Sequence, residues 1–309
     1  MSRLVLSSVL VALVVGLTLL ACVPIEDELL PNIGDEMRIT DDPEPNYDPC
    51  WFAYFYHNWE DPPSMSSAQI AYHDGKTIYS YSIAEKTTEE LYTAPAGYEI
   101  TALTMGSSYY YELWIALYNG VDAKVVRRNR INEIATIIED QGAKITSIAG
   151  RYEGHERSLL FGRADGNIYH YFMDQHSHVS INIISEGFDA YQLDYYYNDY
   201  DYDYNFYFAK NDGTGTRIYE LEVLHPEYPD YELDYVLDSL LYNGYNNRYP
   251  MHQICSSDAG GDVDIWSFGD DVQITDKPGD EIELNMLNDY IVFNRVENGV
   301  SDIYIVRRK

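Results

Sequence analysis

The sequence predicts an all-β chain, a six-bladed β-propeller closed by pairing a strand near its N-terminus with its C-terminal blade. Three observations predict this. A turn dipeptide followed by an apolar or aromatic pair recurs along the chain, its spacing is that of one blade, and a strand signature from the C-terminal region has an orphan copy near the N-terminus.

The recurrent unit is complete in residues 272–308, where an alternating run at 290–294 reaches a turn at Asn298-Gly299 and a second run resumes at Ile303-Tyr304. This is the pattern of a hairpin whose turn needs positive φ. The same mark returns as Asp74-Gly75 with Ile78-Tyr79, Asp165-Gly166 with Ile168-Tyr169, and Asp212-Gly213 with Ile218-Tyr219. Asn119-Gly120 with Val125-Val126 and Gly260-Gly261 with Ile265-Trp266 are weaker copies. The aligned pairs begin at 78, 125, 168, 218, 265 and 303, in steps of 47, 43, 50, 47 and 38. A period of that size made only of strands and turns indicates propeller blades.

The blades follow in order as residues 51–93, 99–138, 144–184, 188–223, 231–275 and 282–308, each with four strands from the channel outward. Second strands alternate best, and Phe161, Phe206 and Phe208 are expected to pack between adjacent blades. The last blade ends at its third strand. Its missing fourth strand is supplied by residues 36–40, because Met37-Arg38-Ile39-Thr40 aligns with Val272-Gln273-Ile274-Thr275, the fourth strand of the preceding blade. Such pairing removes the exposed edges of an open array.

Ahead of the ring, Arg3 precedes an uncharged apolar stretch, residues 4–20, whose length and flank suit an export signal rather than a permanent span. The stretch ends in Leu19-Leu20-Ala21-Cys22, which resembles the bacterial lipobox. That resemblance implies cleavage before Cys22, its lipidation, and anchoring to a membrane. Val23, where an inner-membrane retention signal would show Asp, implies the outer membrane of a Gram-negative cell. Residues 22–35 read as an acidic tether.

Removing residues 1–21 leaves 19 basic and 51 acidic side chains, a formal charge of −32. A field of that sign repels phosphate backbones and attracts cations, so nucleic acid is excluded as a partner. An envelope protein or a glycan is the expected partner of a monomeric domain.

VQIT followed by Pro278-Gly279, then IELN, YIVFNR and SDIYIV in the last blade are similar to TolB-like propeller repeats. The similarity is close over 265–306 and loose over 36–308. It implies a propeller fold and no particular activity, since such repeats serve binding proteins, peptidase accessory domains and lyases.

No Gly-x-Ser-x-Gly, His-Glu-x-x-His or Cys-x-x-Cys occurs, so the sequence names no catalytic residue. Asp199, Asp201 and Asp203 stand at the spacing of an EF-hand's opening ligands. Tyr204 and Lys210 replace the Gly and Glu that the loop requires, which leaves a looser calcium site or a solvated acidic loop. Asp174, His176 and His178 alternate as transition-metal ligands could, or as a polar hairpin loop would. Gly75-Lys76-Thr77 resembles the end of a phosphate loop, but Ile70 stands where the earlier Gly belongs, and a hairpin turn accounts for it. Cys50 and Cys255 are the two cysteines left to pair in an exported domain.

The second-to-third turns gather on one face with the blade connectors, and the long first-to-second loops gather on the other. Tyr, Asn, Ser and Gly enrich those loops, a paratope-like composition. The ligand face is therefore expected around Trp59, Tyr109, Tyr152, Tyr200, Tyr202 and Tyr245. The leading functional expectation is a protein-binding or scaffold module. The alternative is a carbohydrate-binding or carbohydrate-active propeller, lyase-like or glycosidase-like, in which aromatic faces and carboxylates meet sugar rings.

Overall fold

The computed structural model describes residues 29–308 except 42, 44, 53–67, 108–111, 130–131, 154–155, 174–177, 185–188, 198–203, 212–215, 225–233, 242–246, 252–253, 268–271 and 288. Strand β1 (Glu36–Arg38) comes first. The first sheet is β2 (Tyr47–Phe52), β3 (Gln69–His73), β4 (Thr77–Ser82) and β5 (Thr87–Thr93). The second is β6 (Glu99–Ser107), β7 (Glu112–Tyr118), β8 (Asp122–Arg128) and β9 (Ile134–Gln141). The third is β10 (Ile145–Glu153), β11 (Glu156–Arg163), β12 (Ile168–Met173) and β13 (His178–Ile184). The fourth is β14 (Asp189–Tyr197), β15 (Tyr204–Asn211), β16 (Thr216–Leu224) and β17 (Asp234–Leu241). The fifth is β18 (Asn247–Met251), β19 (Ile254–Ser257), β20 (Asp264–Ser267) and β21 (Val272–Gln273). The last is β22 (Asp280–Leu287), β23 (Tyr290–Glu297) and β24 (Val300–Arg307), with β1 on its outer edge.

Among the described residues these strands make six four-stranded antiparallel sheets. Their first strands touch in the order β2, β6, β10, β14, β18, β22 and back to β2, a closed ring. The chain is an all-β propeller.

The core lies between sheets, and period-2 alternation puts it there. On β7, Leu113, Ile115 and Leu117 face the first sheet's Cys50, Phe52 and Ile78, while Trp114 and Ala116 face the third sheet's Ile148, Leu159 and Phe161. On β23, Val292 packs toward Trp51 and Ile70 of the first sheet, whereas Ile291 and Phe293 pack toward Ile254 and Ile265 of the fifth. Each fully buried side chain of this size stabilises by about 1.5–3 kcal/mol. Phe161 and Phe208 are buried; the side chain of Phe206 lies outside the described residues.

Three of the Asx-Gly turns, at Asp74, Asn119 and Asp165, share one internal design, while at Asn298-Gly299 both residues take positive φ. Gly75, Gly120, Gly166 and Gly299 have φ of 90°, 93°, 82° and 81°. Asp74 Oδ1 accepts from the amides of Lys76 and Thr77, Asn119 Oδ1 from Val121 and Asp122, and Asp165 Oδ1 from Asn167. The side chain holds the turn's amides while glycine takes the left-handed backbone. Gly75-Lys76-Thr77 is part of such a turn. Asp212-Gly213 lies outside the described residues.

The structure differs from the sequence reading in three places. Residues 234–241 were expected to open the fifth unit, but they form β17, the outer strand of the fourth sheet, through pairs such as Leu221 with Leu237 and Val223 with Tyr235. A fourth strand is needed there to cover β16, and alternation alone does not say which sheet a strand joins. The expected tether is docked from its end inward: Leu30 is buried, Ile33 bridges Arg307, and the Gly34 amide donates to Arg307 O at 3.2 Å. Finally, Cys50 and Cys255 are not joined. Both thiols are free and buried, Cys50 between the first and second sheets and Cys255 on β19 of the fifth. Desolvation pushes the Cys255 thiol up to about 12 and that of Cys50 higher still.

Strand β1 runs antiparallel to β24, with Glu36 opposite Val306 and Arg38 opposite Tyr304. The Ile39 amide continues the pairing by donating to Ile303 O at 2.7 Å.

Candidate functional site

The first strands β2, β6, β10 and β22 each begin beside the connector from the preceding sheet and carry an irregularity near that end. In β6 the pairing skips one residue, Thr101, and in β10 it skips Thr146. In β2 it skips Asp48 and Pro49, and in β22 it skips Glu283 and Leu284. The wider bulges place Asp48 at φ 47° and Glu283 at φ 54°. Longer side chains rarely occupy that region, and such outliers concentrate at working sites.

β2 and β22 are neighbours in the ring, so the two acids meet. Glu283 Oε2 accepts from the Asp48 amide at 2.8 Å and from Asn294 Nδ2. Asn294 also donates to Asn46 O at 2.9 Å, and its Oδ1 is buried without a partner. His73, opposite Tyr47 at the end of β3, completes the group. Its Nδ1 accepts from the Gly75 amide at 2.9 Å, which leaves Nε2 as the ring N–H, 3.3 Å from Asp48 Oδ2. Tyr47 is exposed beside it, with ring centroids 5.7 Å apart. Burial first, and the Asp48 carboxylate second, push Glu283 up to about 8. Two carboxyl groups in unlike settings, one holding its proton into the neutral range, can exchange protons or receive a cation.

A second acidic group lies one connector away and is structural in its bonding. Glu281 is fully buried and accepts from Arg295 Nε at 2.6 Å and from Thr275 Oγ1 at 3.1 Å. The other edge of Arg295 grips Glu36 of β1 in a bidentate pair at 2.7 and 2.9 Å. Burial raises both Glu281, to about 8, and Asp264 beside it.

Of the residues the sequence reading placed on the ligand face, Trp59, Tyr109, Tyr200, Tyr202 and Tyr245 lie outside the described residues, as do Cys22, Asp199, Asp201, Asp203, Asp174 and His176. Tyr152 is on β10, opposite Arg157 of β11, so the expected loop at 150–157 is mostly strand. His178 opens β13. Among the described residues no group of three or more His, Cys, Asp or Glu could hold a metal ion, and no helix is long and apolar enough to cross a membrane. Asp48, Glu283, His73 and Asn294 were not singled out from the sequence. Extending the repeated Ile-Thr signature forward by eight residues would have found the acids, because Thr40 leads to Asp48 as Thr275 leads to Glu283.

No family model matches this sequence, and no curated protein matches it. Solved structures do. An α-L-arabinofuranosidase from Podospora anserina in complex with cellotriose is similar at a TM-score of 0.53 and 8% identity, over 86% of this chain and 91% of that one. A chain of the mitotic checkpoint complex is similar at 0.52 and 11%, over 90% and 96%. A TolB-like protein from Agrobacterium tumefaciens is similar at 0.47 and 12%, over 86% and 81%. At these identities the likeness concerns the propeller fold alone.

Proposed function

We propose that this protein is an exported six-bladed propeller, lipid-anchored through Cys22 at the outer membrane, that acts as a protein-binding module of the cell envelope. The observation that supports it best is the pinned ring. First strands are tied to neighbouring sheets, as where Trp51 N donates to Asn285 Oδ1 at 3.0 Å and Trp51 Nε1 to Tyr290 O at 3.2 Å. A frame held in this way can present long loops of differing sequence without itself changing shape. Trp59, Tyr109 and Tyr152 are the aromatic anchors of the proposed contact surface; Tyr245 falls between β17 and β18, in a sheet connector rather than a first-to-second loop, and is not among them. Pull-down from envelope extracts should recover a partner whose affinity falls by about 1–3 kcal/mol with each of Trp59→Ala, Tyr109→Ala and Tyr152→Ala, at unchanged melting temperature. Palmitate labelling should be lost in Cys22→Ser. Affinity that survives all three substitutions but is abolished by changes near Asn119, Asp165 or Asp212 would move the contact to the other face.

One observation favours a second reading, a carbohydrate-binding or carbohydrate-active propeller. Asp48 and Glu283 form a carboxyl pair of the kind that acid–base work on glycosides employs. A glycan array separates the two: retained glycans with no captured protein support the second reading.

A further inference from the structure

We infer that the cluster of Asp48, Glu283 and Asn294, between the first strands of the first and last sheets, is a binding site for a primary ammonium group. The inference rests on the protein being a binding module, but not on which loops meet its main partner.

Three oxygens of this cluster receive no hydrogen bond from a described residue. Asp48 uses Oδ2 for His73, and Glu283 uses Oε2 for the Asp48 amide and Asn294, which leaves Asp48 Oδ1 and Glu283 Oε1. The third is Asn294 Oδ1, the other atom of the planar amide whose Nδ2 already touches Glu283. Asn294 is wholly buried, and a buried amide oxygen lacking a donor is costly. An alkylammonium brings three N–H donors and a positive charge, the complement of three acceptors and a carboxyl pair. A hard divalent ion fits less well, because it takes six to eight oxygens in a tight shell.

The acids are not demanded by the fold. Threonines serve at the bulges of β6 and β10, and Thr101 simply donates to Ile145 O at 2.6 Å. Only at the neighbouring strands β2 and β22 do acids at positive φ stand in the bulge, among the described residues. The cluster is open at its Asp48 edge. The Asp48 side chain is 26% exposed, and the exposed Tyr47 ring offers a surface for the aliphatic stem of a lysine. A formal charge of −31 raises the local concentration of any cation.

The titratable groups facing Glu283 are Asp48 from β2 and, beyond it, His73 from β3; Asn294 of β23 is neutral. Glu283 must release its proton to receive an ammonium. Affinity should therefore climb as pH passes the value of about 8 that burial and Asp48 impose, while the amine stays charged.

The test is calorimetric titration of the full chain in detergent with Nα-acetyl-lysine methylamide, its Nε-acetylated form, glucosamine and calcium chloride. The expected result is saturable binding of the lysine derivative that is lost on Nε-acetylation and strengthens from about pH 6 to about pH 9. Glu283→Gln and Asp48→Asn should each weaken it about tenfold or more, and Glu283→Gln should flatten the pH profile. Glucosamine binding without lysine binding keeps the ammonium site and assigns it to an amino sugar. No saturable amine binding, equal binding of the acetylated form, or calcium binding in place of amine would overturn the inference. So would a pH profile of the unsubstituted protein that is flat or falls, a readout that needs no variant to fold. Failure here alongside successful capture of an envelope partner would remove the ammonium site and leave the binding-module reading standing.

Discussion

Two connectors in this ring follow one plan and end in different chemistry: residues 275–283, leading from the fifth sheet into the last, and residues 40–48, leading from the last sheet into the first. In both, a threonine hydroxyl accepts an amide of the third strand, Ile265 N to Thr275 Oγ1 at 2.8 Å and Ile303 N to Thr40 Oγ1 at 2.9 Å. In both, the preceding isoleucine amide donates to that same third-strand residue at 2.7 Å. The backbone carbonyl six residues after the threonine is capped alike, Glu281 O by Ser256 Oγ at 2.6 Å and Asn46 O by Asn294 Nδ2 at 2.9 Å. The difference is in charge. Gln273 holds Asp264 at 2.8 Å, whereas its counterpart Arg38 holds Asp302 at 2.6 Å. Glu36 adds the bidentate grip of Arg295. Strand β21 is delivered by the short segment that follows β20, but β1 arrives from the far end of the chain. The seam without a covalent turn is the one that uses ion pairs, which lend register and direction to a strand that must find its place.

Removing the closing strand should do the most damage. Deleting residues 36–40 should cost several kcal/mol, because ladder hydrogen bonds and their apolar contacts vanish together and the β24 edge is bared. An unchanged melting temperature would contradict the closure. Next comes Arg295→Met, which leaves Glu281 and Glu36 buried without their cation; about 3–5 kcal/mol should be lost in chemical denaturation. Arg38→Gln, which copies the covalent seam, should cost far less and lose its effect in high salt, since Arg38 is partly exposed.

Much of this was legible in the sequence. Met37-Arg38-Ile39-Thr40 matched Val272-Gln273-Ile274-Thr275 because both sets make the same hydrogen bonds, and the Asx-Gly dipeptides marked turns because glycine supplies the backbone and Asx the acceptor. Strand β17 was misassigned because alternation in 234–241 reports a half-buried strand and not its partner. The Asp48–Glu283 pair was hidden for a related reason. Its members are 235 residues apart, and only the ring's closure makes their strands neighbours.

Smaller effects sharpen the comparison. Thr40→Val and Thr275→Val should each cost about 1–3 kcal/mol, by orphaning Ile303 N and Ile265 N respectively, and similar losses are the expected outcome. A large inequality would mean that the two connectors are alike only in outline. The pH dependence separates them further. Glu281 and Glu283 are raised from 4.5 to about 8, so the folded protein binds more protons than the unfolded chain between those values. Their contribution to stability is full below about pH 4.5 and is lost as pH rises through about 8. Glu281→Gln or Glu283→Gln should flatten that part of a stability–pH curve. Asn46→Asp, which puts a carboxyl where the other connector carries Glu281, should steepen it.

A strand from the N-terminus seals the ring as firmly as one delivered by its own turn. Native-state hydrogen exchange of the Ile265 and Ile303 amides tests it most directly, because each donates to the threonine of its own seam. Both should belong to the slowest class and exchange within about tenfold of each other, and Arg38→Gln should accelerate Ile303 alone. An Ile303 amide that exchanges like a frayed edge while Ile265 stays protected would contradict it.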